Sequence, residues 1–208
     1  MGIYGLKPRF RQSLRPVLAF FCRFHPDTVS GFAVLCALAA AVSLGLAGRW
    51  PLLLLAAPPL FFLRIAFNAL DGMVAQERGL ASPRGELVNE FSDRVNDTLI
   101  LAGLGASGLV DLRLLAAALA VTLLVSYLGI LAKAAAGVRL TAGPLGKADR
   151  MLLLGLGCVA ASLVPRWTAL DIGQVLDWTL AAFVLLGLVT VANRWRLAWR
   201  AADLGGPT

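Results

Sequence analysis

Residues 64–97, RIAFNALDGMVAQERGLASPRGELVNEFSDRVND, contain two polar helix faces separated by a short turn. Asn68 follows Arg64 by four residues and precedes Asp71 by three, a spacing that puts all three on one face of a helix. Because helices joined by a short loop are antiparallel neighbours, we expect this face to meet the polar face that follows the turn. That second face comprises Glu86, Asn89, Glu90, Asp93 and Asp97.

The segments around this stretch are apolar enough to cross a membrane. The 208 residues are 59% hydrophobic and 15% charged, whereas soluble domains are about 45–50% apolar. A helical span needs about 20 mainly apolar residues. Six segments qualify if polar residues on an interior face are tolerated: 28–48, 52–76, 86–108, 112–136, 149–165 and 172–194.

The predicted fold class is therefore all-α, a polytopic membrane protein with six transmembrane helices. Residues 5–24 mix regularly spaced Arg with Leu, Val and Phe, which predicts an amphipathic helix in the membrane interface before the first span. No linker rich in Ser, Gly or Pro divides the chain. We therefore expect a single domain over residues 1–200 and a flexible tail over residues 201–208.

Positive charge is distributed unevenly about the six segments, and cytoplasmic loops are known to accumulate Lys and Arg. The termini and the loops after the second and fourth spans are rich in these residues, whereas the opposite loops contain only Arg49, Arg113 and Arg166. We expect the termini and the polar site to face the cytoplasm. The net charge of +7 then reflects topology and attraction to membrane lipids, and a nucleic-acid partner is not expected.

Ionisable residues inside a membrane span are costly and mark functional sites. Oxygen ligands with few His or Cys suit a hard cation such as Mg²⁺ or Mn²⁺, which joins carboxylates to substrate phosphates. Gly72 permits close approach of a ligand or a backbone, and the helix that opens at Gly85 presents amides that favour an anion. Two other interpretations are a solvated charged face and buried ion pairs, in which Arg64 and Arg94 neutralise Asp71 or Asp93.

Residues 68–93 resemble the motif of the class-I CDP-alcohol phosphotransferases. That motif is D-x2-D-G-x2-A-R-x8-G-x3-D-x3-D, and this chain has N-x2-D-G-x2-A-Q-x8-G-x3-N-x3-D with every spacing retained. The form of the motif looks most like a bacterial inner-membrane branch of the family. The matching residues are Asp71, Gly72, Ala75, Gly85 and Asp93, and the replaced positions are Asn68, Gln76 and Asn89.

The resemblance implies a membrane enzyme of phospholipid biosynthesis. Such an enzyme transfers a phosphatidyl group from a CDP-linked donor such as CDP-diacylglycerol to an alcohol acceptor and releases CMP. It also implies Asp93 as the general base, Mg²⁺ or Mn²⁺ as cofactor, and a homodimer. The metal positions that it implies are Asn68, Asp71, Asn89 and Asp93, and the substrate-binding positions are Gly72, Ala75, Gln76, Gly85, Lys147 and Arg150. Asp97, one helical turn beyond Asp93, is a further metal position in reserve that could restore charge, and Glu90 is the alternative to it.

The replaced positions change the charge of the site. Amide oxygens at Asn68 and Asn89 still bind cations, but two negative charges are lost, so metal affinity should fall and a second cation is less favoured. Gln76 removes a cation from beside the nucleotide. These changes motivate an alternative, a catalytically weakened homologue that binds a nucleotide lipid or a partner without turnover. A transporter is a third hypothesis, but it does not require Gly72 and Gly85 at these positions.

Overall fold

The computed structural model describes residues 7–203, which form seven α-helices. The helix that precedes the first predicted span is α1, and α2 to α7 correspond one by one to the six predicted spans. A 3₁₀ turn at Pro51–Ala56 precedes α3, and another at Val164–Arg166 follows α6. The helices are α1 (Lys7–Phe21), α2 (Pro26–Leu46), α3 (Ala57–Glu77), α4 (Pro83–Ala106), α5 (Leu112–Ala136), α6 (Lys147–Leu163) and α7 (Ile172–Asp203).

Two predicted segments extend past the described residues. The predicted amphipathic segment begins at residue 5, so its first two residues lie outside the described range. Of the predicted tail at 201–208, residues 201–203 complete α7, and the remainder lies outside that range as well. The placement of α1 in a membrane interface stays a prediction.

Local capping explains where several helices begin and end. Ser82 caps α4, because its hydroxyl accepts a hydrogen bond from the Gly85 amide at 3.1 Å. Asp111 caps α5 by accepting from the Arg113 amide at 2.6 Å. At the other end of α5, Gly137 has φ 67°, a left-handed conformation that closes helices and favours glycine. These residues fix where the helices begin and end.

Small residues bring the helices close together around α2, which packs against both α3 and α4. Ala33, Ala37 and Ala40 on α2 are buried. A Cβ atom added at Gly103 of α4 would lie 2.6 Å from the Ala41 Cα atom of α2, so only glycine permits this approach. In the other half of the molecule, α7 packs against α5 and α6, and α6 also contacts α3.

Five helical segments in the described range are long and apolar enough to cross a membrane. They are Pro26–Leu46, Pro51–Glu77, Leu112–Ala136, Lys147–Arg166 and Ile172–Asp203. α4 is long enough, about 36 Å at 1.5 Å per residue, but it carries the acidic and basic residues of the polar face. Over residues 7–203 the structure therefore confirms the all-helical fold, and length and composition support five of the six predicted spans.

Candidate active site

The polar faces of α3 and α4 line the candidate site. The short loop predicts that these two helices pack against each other, but in the structure they do not pack closely. Each packs along α2, because the small residues of α2 let both helices approach it. A side chain spans the space between them: the Arg64 guanidinium on α3 donates to the Asp97 carboxylate on α4 at 2.7 Å. An ion pair thus joins the two polar faces.

Asp97 lies at the centre of a buried charge cluster. It is 2% exposed, with one carboxylate oxygen 2.7 Å from Arg64 and the other 2.9 Å from Arg150 of α6. Arg64 also donates to the Asp93 carbonyl oxygen at 3.3 Å. Both oxygens of the predicted reserve ligand therefore face arginines, and this cluster joins α3, α4 and α6.

Arg64 and Arg94, which the sequence suggests as ion-pair partners of Asp71 or Asp93, do form ion pairs, but with different acidic residues. Arg64 pairs with Asp97, because the two residues are similar distances from the turn between antiparallel helices and lie at the same depth. Arg94 pairs with Glu90 at 3.0 Å, one helical turn away on its own helix.

The Asp71 and Asp93 carboxylates are buried, and each has one polar side-chain partner from another helix. Asp71 is 5% exposed and accepts a hydrogen bond of 2.7 Å from the Ser30 hydroxyl on α2. Asp93 accepts from the ammonium group of Lys147, the first residue of α6. Lys147 is also close enough to Asp71 to interact with it electrostatically, so the two acids and the lysine form one site.

The loop before α6 is fixed, and so it holds Lys147 in position. The Gly146 amide donates to the Asp149 carboxylate at 2.9 Å, which caps α6. The Leu145 amide donates to the Thr190 hydroxyl at 2.9 Å, and the Arg194 guanidinium donates to a loop carbonyl at 3.0 Å. α7 therefore positions a residue of the site without entering it.

The two amides that replace motif aspartates carry unused polar atoms. The Asn68 side-chain nitrogen and the Asn89 side-chain oxygen are buried, and neither has a hydrogen-bond partner within residues 7–203. Beside Asn68, a Cβ atom added at Gly72 would have no described atom within 4 Å. The sequence predicts close approach at Gly72, and the structure shows open space there.

The other predicted substrate positions have different surroundings. Gln76 is exposed and accepts a hydrogen bond of 2.6 Å from the Arg11 guanidinium of α1, and Ala75 is partly buried. The Gly85 amide is occupied by Ser82. Arg150 is buried and donates to the Thr122 carbonyl oxygen at 3.2 Å.

The side chains present fit a divalent cation. Asp71 and Asp93 supply carboxylate oxygens, and the unpartnered oxygen of Asn89 is a further hard ligand of the kind that Mg²⁺ prefers. Within the described part of the chain, no three His, Cys, Asp or Glu side chains form a metal-binding group. A cation held here would therefore take the amide oxygen as a ligand beside the two carboxylates.

Ser30 and Arg11 were not identified as site residues from the sequence. Ser30 is separated from Asp71 by 41 positions, and Arg11 from Gln76 by 65. Arg11 is one of several regularly spaced arginines in α1, so spacing gave no reason to select it. Ser30 lies just after His25-Pro26-Asp27-Thr28, which resembles the entry of the first span in the family, and this was the one available signal.

Comparisons with known proteins give two relatives of similar length. The inner membrane protein YnbA of Escherichia coli is 34% identical over 199 residues, covering 94% of this chain and 96% of the relative. The archaetidylinositol phosphate synthase of Methanothermobacter thermautotrophicus is 27% identical over 173 residues, covering 83% and 81%. No family model matches the chain.

Solved structures share the fold. The phosphatidylinositol phosphate synthase of Mycobacterium tuberculosis with CDP-DAG bound has a TM-score of 0.71 and 21% identity, covering 88% of this chain and 92% of that chain. The same enzyme in complex with manganese and citrate also gives 0.71, with 88% of each chain covered. Similarity to YnbA over nearly the whole length, to a synthase in sequence and to another in fold establishes that this chain belongs to the CDP-alcohol phosphatidyltransferases, a family of phosphotransferases.

Proposed function

We propose that the protein transfers a phosphatidyl group from a CDP-linked donor such as CDP-diacylglycerol to an alcohol acceptor, releasing CMP, in phospholipid biosynthesis. One observation carries the proposal: the buried carboxylates of Asp71 and Asp93, on different helices, both interact with Lys147. Gly72, directly after Asp71, leaves open space at the surface of α3. The relatives support the proposal, since two of them are named as synthases of phosphorylated lipids and one was solved with CDP-DAG bound.

In the proposed reaction, Asp93 is the general base. The acceptor oxygen bonds to the β-phosphorus of the donor, the bond from that phosphorus to the CMP oxygen breaks, and Asp93 takes the hydroxyl proton. Lys147, which contacts Asp93 in the structure, exchanges this carboxylate for a phosphate oxygen when donor binds. Asp71, held by the Ser30 hydroxyl, lies beside the phosphates.

Asn68, Asp71, Asn89 and Asp93 would hold Mg²⁺ or Mn²⁺. When bound, the cation neutralises phosphate charge and polarises the phosphoryl group. We assign Asp97 to holding Arg64 and Arg150 rather than to the cation, because both of its oxygens face arginines.

Several substrate roles belong to the same proposal. Gly72, Ala75 and Gln76 line the nucleotide, and Arg150 contributes positive charge close to the phosphates. Gly85 is assigned only a supporting role at the helix start, because its amide is already bonded to Ser82.

We also propose the bacterial inner membrane as the location, with α4 as the sixth span and the termini and site on the cytoplasmic side. Similarity to an Escherichia coli inner membrane protein supports the location. The charge bias supports the orientation, since Arg49 and Arg113 lie after α2 and at the start of α5, at the ends remote from the site. A homodimer is retained from the family resemblance alone.

The test uses purified protein in liposomes with CDP-diacylglycerol and Mg²⁺ or Mn²⁺, and measures CMP release over a panel of acceptor alcohols. We expect metal-dependent release that falls to background in Asp93→Ala. The matched control is Asp203→Asn, which changes an exposed carboxylate at the far end of α7 and should retain activity. The proposal fails if no acceptor gives release above the Asp93→Ala level.

A second function, binding without turnover, is favoured by the two amides at motif positions and by the Lys147 contact with Asp93. It predicts that CDP-diacylglycerol binds to the purified chain while CMP release stays at background. Measuring binding and release on the same preparation therefore separates the two functions.

A further inference from the structure

A positively charged side chain of α1, which the sequence did not identify, lies beside the candidate site. Arg11 of α1 donates a hydrogen bond of 2.6 Å to the side-chain oxygen of Gln76. Gln76 is the position where the family motif has arginine. The sequence predicts a loss of positive charge there, whereas the structure places a guanidinium against that residue.

The placement of Arg11 follows from several contacts that fix the N-terminal region against α3. Phe21 at the end of α1 packs edge-on against Phe67 of α3, with ring centroids 5.7 Å apart. Arg78, just after α3, donates to the Phe24 carbonyl oxygen at 2.8 Å. α1 is therefore attached to α3 by apolar and polar contacts, and Arg11 is partly buried between the two helices.

Arg11 lies at the end of the open face of α3. Gly72 and Gln76 are four residues apart, so they are neighbours on one face of the helix, with Cβ positions about 5–6 Å apart. Both residues are exposed, and the space beside Gly72 is empty of described atoms within 4 Å of an added Cβ. A ligand that lies over Gly72 would therefore reach the Arg11 guanidinium.

The partner of Arg11 distinguishes it from the other cations of the site. Arg64 and Arg150 pair with Asp97, and Lys147 pairs with Asp93. Arg11 instead bonds to a neutral amide, and in the described range this is its one hydrogen bond. A guanidinium has five N–H donors, so its charge and most of its donors remain for an anion.

We infer that Arg11 binds the anionic diphosphate of the CDP-linked donor and that Gln76 positions it there. The inference rests on the proposed function, which places the nucleotide over Gly72 and Gln76. In this chain α1 thus supplies the positive charge that α3 itself lacks. Arginine suits the role because its planar donors bind phosphate oxygens in pairs.

The experiment measures binding of CDP-diacylglycerol to the full chain in nanodiscs with Mn²⁺ present. We expect Arg11→Gln to weaken binding about tenfold, the loss for one charge-assisted contact of about 1.4 kcal/mol. The control Arg9→Gln removes the same charge from an exposed position of the same helix and should leave the affinity within about twofold.

A swap variant separates binding from structural support. In Arg11→Gln/Gln76→Arg the guanidinium returns on α3, so we expect most of the affinity to be recovered. If Arg11 only anchored α1 to α3, an arginine at position 76 would not restore the affinity. Thermal unfolding of each variant shows whether the chain remains folded.

Nanodiscs of neutral and of anionic lipid distinguish the donor from bilayer head groups as the bound anion. The inference requires the tenfold loss in both lipids, and a loss confined to anionic lipid would overturn it. Equal affinity of Arg11→Gln and Arg9→Gln for CDP-diacylglycerol would overturn the role of Arg11 but leave the proposed function intact. Absence of binding by the unmodified chain would overturn both.

Discussion

At the scale of single residues, Asp93 and Asp97 lie one turn apart on α4 and have different surroundings. Asp97 is enclosed by two arginines, whereas Asp93 contacts a lysine that is 28% exposed. Removing the charge of Asp97 leaves Arg64 and Arg150 buried without an anion, a change that costs about 3–5 kcal/mol when one partner of a buried pair is lost. We therefore expect Asp97 to matter more for stability than for chemistry.

We predict that Asp97→Asn lowers the thermal unfolding temperature in detergent far more than Asp93→Asn does. Lys147 can reach water when Asp93 is neutral, but the two arginines cannot. Asp203→Asn is the control for loss of an exposed carboxylate. Equal destabilisation by Asp93→Asn and Asp97→Asn would contradict the assignment of Asp97.

The metal positions give a second prediction. Asn89→Asp restores a carboxylate at the unpartnered oxygen, so we expect Mn²⁺ affinity to rise by about tenfold, which corresponds to about 1.4 kcal/mol. Electron paramagnetic resonance of free Mn²⁺ measures this without any turnover. The exposed Asn193→Asp is the matched control, and an unchanged affinity in Asn89→Asp would exclude position 89 as a ligand.

The sequence predicted the motif residues of the site but not their partners. Helical spacing identified Asp71 and Asp93, since residues three or four apart share a face whatever surrounds them. Helical spacing does not identify Ser30, Lys147 as the partner of Asp93, or the pairing of Asp97, because those contacts join different helices. They depend on how the helices pack.

At the scale of helices, α2 and α4 approach closely where Gly103 faces Ala41. A larger residue at this position must separate the two helices, and overpacking of this kind costs about 1–3 kcal/mol. We expect Gly103→Val to lower the unfolding temperature. Gly31→Val, where an added Cβ has no described atom within 4 Å, makes the same change without that clash. Similar shifts in both variants would show that helix propensity dominates.

Helix boundaries were predicted well where turn residues stop the helix. The span predicted at 112–136 is α5 itself, since Asp111 and Gly137 cap its two ends. α7 extends nine residues past the predicted end at 194, because the prediction stopped where arginines begin. The helix propensities of Arg and Trp are similar to those of Leu and Ile, and no Gly or Pro interrupts residues 195–203.

At the scale of the whole molecule, the orientation in the membrane remains a prediction. Ala81 lies in the turn between α3 and α4, and Trp167 follows α6 at the opposite end of that helix from Lys147. With the native cysteines replaced by alanine, we expect Ala81→Cys to react with an impermeant maleimide only in inside-out vesicles. Trp167→Cys should react in intact spheroplasts. Labelling from the same side would contradict the six-span topology.

The cluster of Arg64, Asp97 and Arg150 also bears on how the chain is made. Ribosomes synthesise α3 before α4, so Arg64 reaches the membrane before its anion exists, and Arg150 arrives last. We expect a chain ending at residue 82 to integrate α3 poorly, a chain ending at residue 106 to integrate it well, and Arg64→Leu to rescue the shorter one. Protease protection during synthesis on membrane vesicles measures this. Equal integration at both lengths would mean that α3 enters the bilayer unaided. Better integration of the longer chain would mean that α3 inserts stably only after α4 has been synthesised.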